Sequence, residues 1–80
     1  MTNEKEELTF LESQLEWIKQ RDELLEQIEN KLYKMKQIAE KVAANGDFIT
    51  VNEKHQLNER FLQLKSEIAE LERGLQIYYN

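Results

Sequence analysis

Eighty residues, 40% hydrophobic and 34% charged, with no cysteine and no proline, make at most one small domain. A core of that size buries only about 60% of the unfolded surface, and without cysteine it gains nothing from disulfides or thiolate-bound metal. A net charge of −5 argues against nucleic acid and anionic membrane, both of which select a cationic face.

The chain opens on an acidic stretch, Met1-Thr-Asn-Glu-Lys-Glu-Glu, and its longest apolar runs are two or three residues. It therefore resembles neither a secretory signal nor a membrane span, and a cytoplasmic location is the default expectation. Residues 1–30 hold nine acids against three bases, a balance of −6. Residues 31–44 reverse the sign to +3 through Lys31, Lys34, Lys36 and Lys41 against Glu40, and residues 45–80 return −2. Asymmetry of this kind can orient a partner.

Leu8, Leu11, Leu15 and Ile18, then Leu25, Ile28, Leu32, Met35, Ala39 and Val42, follow alternating steps of three and four. This is a coiled-coil seam, and it predicts one helix over about residues 4–44. The step from Ile18 to Leu25 is seven, a fault at which Arg21 or Asp22 turns inward or the coil overwinds. Solvated flanks are the simpler reading there, and Arg21 is the candidate for a polar residue that fixes register.

Asn45-Gly46-Asp47 reverses the chain within a turn at 45–49. Gly46 suits a left-handed C-cap, where the absence of Cβ removes the steric cost, and Asp47 can bind nearby amides. Phe48 and Ile49 are expected to fold over the end of the helices as an apolar plug.

Thr50 with Glu53 three residues later has the form of a capping box and predicts a second helix over about 51–79. Its seam, Leu57, Phe61, Leu64, Ile68, Leu71, Leu75 and Tyr78, is uninterrupted. The fold class expected is all-α: a single domain forming a two-helix antiparallel coiled-coil hairpin that dimerises to a four-helix bundle.

The helices differ in length. With the turn near residue 47, Tyr79 reaches only the neighbourhood of Leu15, so residues 4–14 have no partner within the chain. This acidic overhang of about 16 Å carries Leu8, Phe10 and Leu11. The aromatic residues Phe10, Trp17, Tyr78 and Tyr79 collect at the same open end. Gly74, inside the second helix, suggests a close approach there, because glycine in an exposed helix costs about 1 kcal/mol relative to alanine. The candidate interface is therefore Leu8, Phe10, Leu11, Leu15, Trp17, Arg21, Gly74, Tyr78 and Tyr79.

Catalysis needs a positioned constellation in a pocket, and a hairpin offers little concave surface. His55 is the only histidine, and with Glu59 it supplies two ligands, too few for a structural zinc site. The carboxylates at Glu4, Glu6 and Glu7 and at Asp22 and Glu23 read as a solvated face, and no phosphate loop or nucleophile-base pair is present. No catalytic, metal or cofactor residue is assigned.

The function expected is that of a small non-enzymatic interaction module, a regulator, adaptor or assembly factor acting through helix packing. Its partners would be a second copy in a homodimer and a protein client whose identity the sequence does not give. The alternative is a dimer that binds RNA through Lys31, Lys34, Lys41 and Lys54. In plan, though not in motif, it resembles the small plasmid-encoded helical hairpins that hold kissing RNA loops, acidic proteins with a localised basic face. That reading is disfavoured, because these lysines crowd near the turn with only Tyr33 as an interleaved aromatic. A helical-bundle enzyme or metal protein comes last.

Overall fold

A computed structural model describes residues 3–79. It is an antiparallel hairpin of two helices, α1 (Glu4–Asn45) and α2 (Val51–Gln76). The rod measures 72 × 18 × 15 Å with a radius of gyration of 20.0 Å, against about 12 Å for a compact domain of this length. Such a shape has almost no interior. Among the described residues only Ile28, Leu64 and Ile68 are buried, and Leu64 alone is fully enclosed.

Each helix begins on a side-chain cap. Asn3 Oδ1 accepts from the Lys5 amide at 3.0 Å, and Glu4, Glu6 and Glu7 place negative charge on the positive end of the α1 dipole. Thr50 Oγ1 accepts from the Glu53 amide at 3.1 Å, as the capping pattern predicts. α1 then runs 42 residues without a proline or a kink-forming glycine to stop it.

The turn differs from expectation. Gly46 has φ −53° and ψ −36°, so the chain leaves α1 in a right-handed conformation. The Phe48 and Ile49 amides both donate to the Asn45 carbonyl, at 2.9 and 3.0 Å, and close the reversal. Glycine is used here for proximity, since a Cβ at Gly46 would lie 2.9 Å from the Val42 carbonyl oxygen. The expected plug is half formed: Ile49 is half-buried, whereas Phe48 is 88% exposed.

α2 packs through the seam its sequence announces. Leu57, Phe61, Leu71, Leu75 and Tyr78 are half-buried around the buried Leu64 and Ile68. On α1 the inward face is Arg21, Leu24, Ile28, Lys31, Met35 and Ile38, with Trp17 and Val42 continuing it at 37% exposure. That series steps 4, 3, 4, 3 without a fault, and Leu25 and Leu32, 39% and 51% exposed, flank it. The apparent fault between Ile18 and Leu25 arises from reading two adjacent stripes as one. The inner stripe contains Arg21 and Lys31, whose aliphatic stems cover apolar surface while their charged ends reach the rim.

Candidate interaction surface

Lys31 Nζ lies 3.3 Å from Glu67 Oε2, a half-buried ion pair that joins α1 to α2. At the open end, Tyr78 donates its hydroxyl hydrogen to Gln20 Oε1 at 3.0 Å, and its ring meets Trp17 edge-on at a centroid distance of 5.1 Å. The carbonyls of Leu75 and Gln76 accept from the Tyr78 and Tyr79 amides, bonds that reach back only three residues and tighten the end of α2. α2 therefore ends at Gln76, three residues short of the expected boundary, with Tyr78 turned onto Trp17.

Arg21 lies inside the seam with its guanidinium carbon 5.6 Å from the Trp17 ring centroid, a cation–π contact. Its Nη2 reaches Asp22 at 3.4 Å, while its buried Nε has no protein hydrogen-bond partner. Asp22 itself points to solvent. Trp17, Arg21 and Tyr78 are thus brought together, whereas Phe10 and Tyr79 stay apart from them at 62% and 64% exposure. Gly74 is not a point of close approach within the hairpin, because a Cβ there would meet nothing within 4 Å.

Beyond Trp17 the first thirteen residues of α1 have no α2 alongside, a projection of about 20 Å. Leu8, Leu11 and Leu15 are exposed there. They do not end an apolar track but begin one, since Leu11, Ile18, Leu25, Leu32 and Ala39 recur every seven residues along α1. This stripe lies one residue, or about 100°, around the helix from the hairpin seam. Every one of its members is apolar and exposed. The sequence signal was present in the leucine spacing, but it read as the hairpin seam.

A second feature lies near the turn. α1 and α2 part there to leave an apolar groove of about 430 Å³, lined by Ala39, Val42 and Ala43 from α1 and by Lys54, Leu57 and Phe61 from α2. Sequence reasoning missed it because a groove between helices follows from how the small side chains of α1 meet the larger ones of α2. The exposed Phe48 and Val51 extend the apolar surface at the tip.

Charged side chains elsewhere form local surface pairs. His55 Nε2 lies 3.0 Å from Glu59, Lys36 lies 3.8 Å from Glu40 and Arg73 lies 2.9 Å from Glu70, all exposed. Among the described residues no three His, Cys, Asp or Glu side chains gather around a point that would hold a metal. Among the same residues no helix is long and apolar enough to cross a membrane. Comparison of the chain with protein-family models, with curated proteins and with solved structures finds no match.

Proposed function

We propose that the chain is a non-catalytic interaction module that works by packing the outer face of α1 against helices of another chain, in the manner of an adaptor, regulator or assembly factor. The observation that carries this reading is the continuous exposed stripe from Leu8 to Leu32. Scattered exposed leucines are ordinary on a protein surface, but a contiguous apolar track bordered by charge marks a binding face. A helix meant only for a two-helix hairpin needs one narrow stripe, and α1 carries the wider apolar face of a bundle helix. Lys31 is held by Glu67, which leaves fewer free lysines near the turn for phosphate and adds no support to the RNA-binding alternative.

The test is sedimentation of the intact chain beside a chain lacking residues 1–14, with helical content followed by circular dichroism. Truncation is expected to abolish assembly and to leave the hairpin from Trp17 to Tyr78 helical. A truncated chain that assembles as the intact one does would remove the reading.

A further inference from the structure

We infer that the occupant of the α1 stripe is a second copy of this chain lying antiparallel, with the overhang of each copy filling the groove beside the turn of the other. This inference rests on the helix-packing function proposed above and specifies its partner and geometry.

The two unpartnered features lie at opposite ends of one helix. Leu8 and Leu11 project beyond the end of α2, and Ala39 and Ala43 border the groove some thirty residues on, about 45 Å away. A straight helix cannot bring its own ends together, so the overhang cannot reach the groove of its own chain. A second copy related by a two-fold axis at Leu25 does so twice. In that arrangement Leu25 meets its own counterpart, Ile18 meets Leu32, Leu11 meets Ala39 and Leu8 meets Val42. The Leu11–Ala39 layer, which occurs at both ends, thus sets a large side chain on a small one, as close packing requires. A parallel pair would set leucine against leucine at the overhang and leave alanine against alanine beside an unfilled groove.

Charge makes the same choice. Residues 6–19 carry Glu6, Glu7, Glu12 and Glu16 against Lys19, a formal −3. Residues 31–44, which they would overlie, carry a formal +3, one unit of which is engaged with Glu67. Lys54, on the wall of the groove, adds to the positive end. Antiparallel pairing sets these segments against each other, and parallel pairing sets like on like. At the centre Asp22 falls opposite Ile28 and Arg21 opposite Glu29 on either side of Leu25, so the larger blocks of opposite charge meet at the two ends. The closed two-fold geometry also buries each overhang and leaves no open surface to propagate a filament.

Single cysteines test the geometry without interference, since the chain has none. Leu25→Cys, Leu11→Cys and the pair Leu11→Cys/Ala39→Cys all fall on exposed positions, so each variant should keep the helical content of the parent. Under mild oxidation Leu25→Cys is expected to shift to the mass of two chains on a non-reducing gel. Leu11→Cys should stay at one chain, and the pair should cross-link. Equal cross-linking of Leu11→Cys and Leu25→Cys would mean a parallel dimer and overturn the inference. Light scattering that gives two chains while Leu25→Cys fails to cross-link would overturn the stripe as the dimer face. A single-chain mass throughout a concentration series would overturn self-pairing, leaving the helix-packing reading to stand or fall with a different protein partner.

Discussion

Leu64 and Leu62 offer a direct measurement of how much of this rod's stability lies in its single seam. Both are leucines in the middle of α2, two residues apart, so replacing either with alanine changes helix propensity by the same small amount. Leu64 is fully enclosed, whereas Leu62 is 52% exposed. Buried leucine-to-alanine changes cost about 2–5 kcal/mol, and the lower half of that range applies in a rod thin enough to close over the gap, so about 2–3 kcal/mol is expected for Leu64→Ala. For Leu62→Ala the half-exposed side chain forfeits about 0.5–1 kcal/mol. Against a total of about 4–12 kcal/mol for a chain of this size, the first loss is a large fraction and lowers the melting midpoint by about 10–20 °C. The assay is thermal melting by circular dichroism at two protein concentrations about tenfold apart, which exposes any contribution from association. A Leu62→Ala loss equal to that of Leu64→Ala at both concentrations would refute the assignment of the core to the Leu64 layer.

Three further substitutions follow from the same geometry. Thr50→Ala removes the side-chain acceptor for the Glu53 amide and is expected to cost about 1 kcal/mol in urea denaturation, with an unchanged slope. Gly74→Ala places a methyl group in open space and is expected to stabilise the hairpin by up to about 1 kcal/mol; a loss of assembly instead would reveal a neighbouring helix at that position. Lys31→Leu replaces a half-buried charge in the seam and is expected to raise stability by about 1 kcal/mol, because Glu67 keeps enough access to water to remain solvated. A loss after Lys31→Leu would show that the ion pair outweighs the apolar contact it displaces.

The elements themselves were legible along the chain. The unbroken 4-3 spacing from Leu57 to Tyr78 located the inward face of α2, Thr50 marked its start, and Asn45-Gly46-Asp47 marked the reversal. The unequal helix lengths announced the overhang, which ends at Trp17 rather than near Leu15 because the last turn of α2 tightens early. These features are local, set by capping geometry, by the absence of proline and by a period that each helix carries alone.

The face that α1 turns toward α2 is a different matter. Its sequence carries two heptad stripes one residue apart, and the leucine-rich one reads as the core by composition. In the hairpin the other stripe is inside, Arg21 and Lys31 included, and with α1 turned that way Lys31 meets Glu67 and Trp17 meets Tyr78. Gly46 likewise read as a left-handed cap, and only the close approach of the Val42 carbonyl gave it its role in a right-handed turn. The sequence by itself determined that there are two helices, where they begin and where they reverse, since those depend on neighbours along the chain. The tertiary structure decided which stripe packs within the hairpin and which stays exposed, because that choice depends on contacts between residues as far apart as Lys31 and Glu67.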